Sequence, residues 1–298
     1  MSKSKYWTYG VLLLMLTGVL TVLAMGQVDQ VKSPKSQVSN PKPISKPKPN
    51  GKGITQKEPP AKVAIIHTKV GGWGFLKNTK HETPGITAEQ EELVRQHNAM
   101  FVGDESKKEV TVTFDLGYEN GYTGRILDTL KTNNVQAIFF ITGPWLKENP
   151  ELAKRMVEEG HIIGNHTWSH PSLPTISKEN MEADINRLQE YIEKTTGQNN
   201  KVKYLRPPKG EYSEQTLRWT KEMGYTTVMW SVALRDWVPM GSPQEAIDGV
   251  RNNLHNGAII LLHAVSKDVT EGLDTILKSI REQGYKIVPI NKLSPRKY

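Results

Sequence analysis

"VTVTFDLGYENGY", residues 110 to 122, decides how the chain is read. Val110-Thr111-Val112-Thr113-Phe114 is an apolar, β-branched run of the length of a buried strand. It leads straight into Asp115, then Leu116, a glycine and a polar, aromatic cluster. A carboxylate at the end of a buried strand is costly unless a partner or a reaction uses it. Leu116 is apolar where a second polar group would be more natural.

Outward from this stretch, short apolar runs alternate with helical patterns from about residue 109 onward. The strand candidates are Val110–Asp115, Ala137–Thr142, Ile162–Gly164, Lys203–Arg206, Thr226–Trp230, Ala258–Leu262 and Lys286–Pro289. Between them, Asn149-Pro150 reads as an N-cap with a first-turn proline, and Gly160 stops that helix. Met181, Ile185, Leu188 and Ile192 recur at helical spacing. Ser242-Pro243-Gln244-Glu245 reads as a capping box, Lys267 to Glu282 as the last helix, and Thr87 to Met100 as a helix upstream. Strand–helix alternation implies parallel strands with helices outside. Seven units in about 185 residues predict an α/β fold, an irregular (β/α)7 barrel, with an open doubly wound sheet as the alternative. In either fold, chemistry gathers at the carboxyl ends of the strands.

The unusual residues fall there. Asp115 ends the first strand, and His166 and His170 in "GNHTWSH" follow the third. Arg206 ends the fourth, Asp236 and Trp237 follow the fifth, and His263 ends the sixth. Each has an ordinary structural reading. Arg206 could pair a surface carboxylate, Asp236 could cap a turn, Trp237 could be core, and His263 could be a satisfied core histidine. Among eight histidines a pair four apart is not rare by chance. Shared placement at strand ends favours a site. Read so, His166 and His170 lie on one face of a helical turn and hold a divalent ion that lowers the pKa of a bound water. Asp115 is the general base and His263 the acid that protonates a leaving amine. Asp236 orients His263, and Arg206 holds Asp115 ionised. No serine lies in a Gly-x-Ser-x-Gly elbow and there is no cysteine, which disfavours a covalent acyl-enzyme.

"TFDLGYENG", "HTWSH", "RPPKG", "RDW" and "LLH" stand in the order and spacing of the five motifs of the polysaccharide deacetylase (NodB-homology) family. The resemblance covers roughly residues 109 to 292. It implies a distorted TIM-like barrel, metal-dependent removal of acetyl groups from amino sugars, and the roles assigned above. It also implies that Trp237 and Leu261 line the acetyl pocket; Tyr118 and Lys209 are further candidates for substrate binding. "WGFLKNTKHETPG" (73 to 85) and "EEGHIIGNHTWSHPSLPT" further resemble the delta-lactam-biosynthetic (muramic acid) de-N-acetylases of spore-forming bacteria. These prepare muramic δ-lactam in peptidoglycan stripped of its peptides. Leu116 stands where most of the family has an aspartate as third metal ligand, so the resemblance implies a weakly held ion, with Zn, Mn, Mg and Co all open. Ala233 replaces a frequent acidic residue. Lys209 replaces a frequent aromatic, which fits an anionic group such as the muramic lactyl carboxylate.

The rest of the chain concerns location. Lys3 and Lys5 precede an apolar run through Met25, the layout of a signal peptide or N-terminal membrane anchor over residues 1–26. Residues 27–62 form a Pro/Lys-rich linker expected to be disordered. Residues 63–108 are expected to pack on the barrel as an extension, and 109–298 to be the catalytic domain. Ten lysines against two acidic residues in the first 62 carry the chain's whole net charge of +8. The folded part is balanced, which argues against nucleic acid as a partner. The expected partners are peptidoglycan strands and, through the first segment, the membrane. The chain is expected to be an extracytoplasmic monomer. With no cysteine among 298 residues, disulfides and thiolate metal sites are excluded. Two other functions compete: deacetylation of N-acetylglucosamine in peptidoglycan or chitin-like glycans, and a non-catalytic wall-glycan binding module with a degenerate metal site.

Overall fold

The apolar run around Val112 becomes a strand in the middle of a curled, parallel sheet. The computed structural model describes residues 68–77, 80–199 and 203–298. The expected segments 1–26 and 27–62, and the start of 63–108, lie outside the described residues. Among those described, no helix is long and apolar enough to cross a membrane.

In chain order the strands are β1 (Gly71–Gly72), β2 (Ala99–Met100), β3 (Glu109–Leu116), β4 (Ile138–Ile141), β5 (Ile162–Asn165) and β6 (Lys203–Leu205). They continue as β7 (Glu211–Tyr212), β8 (Tyr225–Val228), β9 (Val232–Ala233), β10 (Ile259–His263) and β11 (Lys286–Ile287). The α-helices are α1 (Ala88–Gln96), α2 (Thr123–Thr132), α3 (Gly143–Glu148), α4 (Pro150–Glu158), α5 (Lys178–Thr196), α6 (Glu214–Glu222), α7 (Pro243–Arg251) and α8 (Lys267–Glu282). All seven expected strands are present. β2 and β9 join them in the main sheet, in the order β2-β8-β6-β5-β4-β3-β10-β9, with β11 paired to the start of β3.

The connectivity forces this sheet to curl. β8 and β9 are separated in the chain only by Met229, Trp230 and Ser231, yet lie toward opposite ends of the strand order. Four extended residue steps reach about 14 Å at most. The two ends of the sheet must therefore come round to meet. A bridge between Val102 and Ala258, with Gly103 N donating to Gly257 O at 2.7 Å, ties the β2 end to the entrance of β10. The result is the irregular barrel expected from the sequence.

Alternation along β3 sets the two faces. Val110, Val112, Phe114 and Leu116 pack in the large apolar cluster that also contains Ile126 and Leu130 of α2 and Leu273 and Ile276 of α8. Thr111, Thr113 and Asp115 therefore face the other way, into the barrel. β4 repeats the rule: Phe139 and Ile141 belong to the helix-side cluster, Ile138 and Phe140 to the interior one. Helix α8 supplies Val269, Leu273, Ile276, Leu277 and Ile280 at three- and four-residue spacing, and Ser266 caps it by accepting from Val269 N at 3.2 Å. α5 buries Met181, Ile185, Leu188 and Ile192 as expected and ends at Gly197, whose φ of 70° suits a residue without a Cβ.

Three local expectations are corrected. The upstream helix, expected over Thr87 to Met100, runs only from Ala88 to Gln96. Asn98 takes a left-handed conformation (φ 51°), and Ala99–Met100 pairs with Thr227–Val228 instead. An edge position on the main sheet satisfies that backbone better than another helical turn. Asn149 begins α4 but caps nothing; its amide donates to Trp145 O at 3.0 Å, finishing α3. Of the expected box at Ser242, the half in which Ser242 Oγ accepts from Glu245 N is present, at 3.4 Å.

Gly257 has φ 74°, and a Cβ there would lie 2.8 Å from the Gly103 carbonyl carbon. Gly257→Ala should cost about 2 kcal/mol or more through strain and loss of seam packing. Urea unfolding followed by circular dichroism measures it, and an unchanged midpoint would contradict the assignment of this seam.

Candidate active site

Asp115, the last inward-facing residue of β3, is level with Phe140 on β4 and His263 on β10. It is 7% exposed and Arg206, just past β6, is fully buried. Arg206 Nη1 donates to Asp115 Oδ1 at 2.7 Å and to Thr113 Oγ1 at 2.8 Å. Its Nε donates to Val228 O at 3.1 Å and its Nη2 to Met229 O at 3.3 Å. The guanidinium also lies over the Phe140 ring, 4.2 Å from its centre. Burial is the largest single influence and pushes the Asp115 carboxyl upward, but the Arg206 charge and hydrogen bond, together with the nearby His166 and His263, outweigh it and hold the group below the ordinary carboxylate value. Asp115 is thus an ionised carboxylate in a buried place.

His166 follows β5 directly. Its Nδ1 is 2.8 Å from Arg206 O, so Nδ1 carries the proton and Nε2, 3.6 Å from Asp115 Oδ2, has the free lone pair. Burial lowers its pKa to about 4, and lowers that of His170 too. Both rings are therefore neutral. The ring centres lie 4.8 Å apart. The expected helical turn is not what joins them. Residues 166–170 form a loop in which Thr167 (φ 66°) and His170 (φ 56°) are both left-handed. Local hydrogen bonds hold that unfavourable backbone: Asn165 Oδ1 accepts from Thr167 N at 2.8 Å, and Thr167 Oγ1 accepts from His170 N at 3.0 Å.

Two neutral imidazoles beside a carboxylate suit a divalent ion. The carbonyl on His166 Nδ1 is the kind of outer partner that orients metal-binding histidines. Among the described residues no cluster of three or more His, Cys, Asp or Glu is assembled for a metal. The protein thus offers two nitrogens, with Asp115 next to them. Leu116 does not line this space; its fully buried side chain belongs to the helix-side cluster.

His263 ends β10 beside Asp115. Asp236, in the turn after β9 and 2% exposed, holds it twice: Oδ1 is 2.7 Å from Nδ1, and Oδ2 accepts from the backbone N of His263 at 2.7 Å. Burial would lower the imidazole pKa, but the hydrogen bond and charge of Asp236 outweigh it and raise the value. Nδ1 is committed to Asp236, which leaves Nε2 to exchange a proton.

All ten residues expected at the site come together. A cavity of about 660 Å³ is lined by Asp115, His166, His170 and His263, and by Tyr118, Lys209, Trp237 and Leu261 of the expected substrate set. Arg206 and Asp236 stand behind it. Trp237 is half-exposed, its ring 5.1 Å from that of His263. Lys209 sits in a tight turn at φ 60°. Sequence reasoning missed Thr113, Trp168 and Trp230. Thr113 donates to Ile260 O at 2.8 Å while accepting from Arg206, tying β3 to β10 behind the base. Its position two residues before Asp115, hence on the same strand face, was the available signal. The two tryptophans line the cavity wall.

Comparison with known proteins places this geometry. A family model described as polysaccharide deacetylase matches residues 102–228. The chain is 41% identical over 223 residues to the peptidoglycan-N-acetylmuramic acid deacetylase PdaA of Bacillus subtilis, covering 74% of this chain and 84% of that protein. The solved structure of PdaA, a family 4 carbohydrate esterase, superposes with a TM-score of 0.74 at 40% identity, covering 76% of this chain and 97% of that one. A peptidoglycan-N-acetylglucosamine deacetylase of Bacillus cereus is 34% identical over 201 residues, or 66% of this chain and 72% of that protein. Enzymes of this family generally use a divalent metal. The chain belongs to the polysaccharide deacetylase family, the hydrolases of carbohydrate esterase family 4.

Proposed function

We propose that the protein removes N-acetyl groups from N-acetylmuramic acid in peptidoglycan, acting outside the cytoplasm from the segment 1–26. One observation carries the chemistry: an ionised base, Asp115, and an acid with a raised pKa, His263, stand level on neighbouring strands at one cavity. The similarity to PdaA supports the sugar, and Lys209 on the cavity wall suits its lactyl carboxylate.

The acetyl group sits against Leu261 and Trp237. Asp115 takes a proton from water as the water oxygen bonds to the acetyl carbonyl carbon. As the carbon–nitrogen bond breaks, His263 Nε2 gives its proton to the departing amine. Acetate and a free amino sugar result. Arg206 keeps Asp115 charged and aimed, and Asp236 keeps His263 protonated and correctly turned. His166 and His170 would hold the divalent ion. What the ion supplies when bound is Lewis acidity, which polarises the acetyl carbonyl and eases deprotonation of the water. A glycan-binding module would need neither the base nor the oriented acid. Deacetylation of N-acetylglucosamine is the second reading, supported by the Bacillus cereus relative.

Asp115→Asn keeps the shape and removes the base. Acetate release from peptide-stripped peptidoglycan should fall by about a thousandfold or more, with strand binding retained. Release by the variant at the native rate would exclude Asp115 as base.

A chelator should depress acetate release, and added divalent ion should restore it. His170→Ala should raise the ion concentration needed for half-maximal rate by about tenfold or more. A rate indifferent to chelator would remove the ion from the scheme.

The pH dependence follows from the two shifts. Asp115 works only when ionised, and its lowered pKa places the acid limb below the ordinary carboxylate range. His263 works only when protonated, so kcat/KM falls as pH rises through its raised pKa. In Asp236→Asn the raising partner is lost while burial remains. The alkaline limb should move to lower pH, costing about tenfold or more at pH 7.5. An unmoved limb would show that His263 is not the titrating acid.

A further inference from the structure

We propose that a hollow beside the active-site cavity is a carboxylate-binding subsite for the glycan strand as it leaves the reacting sugar. The inference rests on the peptidoglycan reading above. The hollow holds about 350 Å³ and is lined by Lys147, Trp168, Arg187, Glu190, Tyr191 and Lys194. Trp168 also lines the active-site cavity, so one indole is the shared wall of the two spaces.

That wall is fixed. Gly143 packs against the indole so closely that an added Cβ would lie 2.2 Å from it, and Gly143 N donates to Trp168 O at 3.1 Å. The Tyr191 ring meets it edge-on at 5.5 Å, and the next residue, Ser169, is bound to Asp184 at 2.7 Å. Arg187 stacks on the same indole, its guanidinium carbon 3.8 Å from the ring centre. Stacking holds the fork still and leaves its N–H edge free, the arrangement that suits a carboxylate.

The cations here are also unspent. Elsewhere on α5 and its flanks, Lys178 pairs with Glu182 and Glu222, and Glu193 with Lys203. Arg187, Lys147 and Lys194 form no ion pair among the described residues. Against these three stands a single carboxylate, Glu190, so the hollow is net positive in a domain of balanced charge. A strand stripped of its peptides carries a carboxylate on every muramic residue. One such group would meet Lys209 at the reacting sugar, and a neighbouring one would meet Arg187 and the lysines.

The test uses the full-length protein and two probes: peptide-stripped peptidoglycan tetrasaccharide, which carries lactyl carboxylates, and chitotetraose, which carries none. Binding is measured by calorimetry in Asp115→Asn, with and without Lys147→Glu and Lys194→Glu, which leave the Trp168, Tyr191 and Arg187 side chains themselves in place. The preference for the carboxylated probe should fall about tenfold, and raising the salt should erase the difference. Arg187→Lys should lose part of the preference, because an ammonium cannot reproduce the stacked fork. Equal preference in the charge-reversed and parent proteins would overturn the subsite, whatever turnover does. Absence of acetate release by the wild type, with the preference still lost on charge reversal, would instead overturn the proposed reaction and leave the subsite standing.

Discussion

A guanidinium with no exposed surface is the constraint around which this site is arranged. Placing Arg206 inside the barrel costs several kcal/mol unless its donors are met and its charge is opposed. The protein meets them with a carboxylate, a threonine hydroxyl and two carbonyls from the end of β8. Each partner is thereby positioned in return. Asp115 is held charged and aimed, Thr113 joins β3 to β10, and the Arg206 carbonyl turns His166 so that Nε2 faces the base. One buried cation thus orders the base, an imidazole and the sheet behind them. Deleting a neutral partner would leave one of the Arg206 donors unmet in the interior, while Asn at position 115 would keep an acceptor for Nη1 and lose only the opposing charge.

The two groups to which the proposed reaction gives the proton transfers are set apart by environment rather than by residue type. Asp115 faces a cation and is driven below its ordinary pKa, while His263 faces an anion and is driven above its own. Opposed shifts on neighbouring strands keep an ionised carboxylate and a protonated imidazole in one cavity at one pH, as the proposed reaction requires. The neighbouring histidines follow a third course: burial first, and then nearby positive groups, keep them neutral.

Much of this was legible because the fold concentrates information at strand ends. Seven strands announced themselves as apolar runs bounded by polar or helix-forming segments, and the ionisable residues after them marked the site. What escaped was short or local. β2, β7 and β9 are two residues each and carry no periodicity. The end of α1 turned on the left-handed backbone of Asn98, which hydrophobic pattern does not encode. The histidine pair sits four apart, as on a helix, yet a strained loop brings it together. Thr113 reads only as a strand residue, and Trp168 only as part of "HTWSH", until the cavity is seen. Leu116 is instructive: strand alternation already put it on the helix side, so its apolar character serves packing.

The short passage from β8 to β9 has a further consequence. Met229, Trp230 and Ser231 carry the chain from one end of the sheet to the other, and the first of them, with Val228, supplies carbonyls to Arg206. Trp230 O also receives the Trp73 indole N–H at 2.8 Å, so the upstream strap is fastened to the same passage. The barrel therefore cannot spring open at its seam while keeping a competent centre, because the opening would withdraw the acceptors that make a buried cation tolerable. Catalytic competence and closure form one cooperative unit. A molecule opened at this passage would strand the Arg206 charge as it lost its edge, so the order of the site and the closure of the sheet fail together.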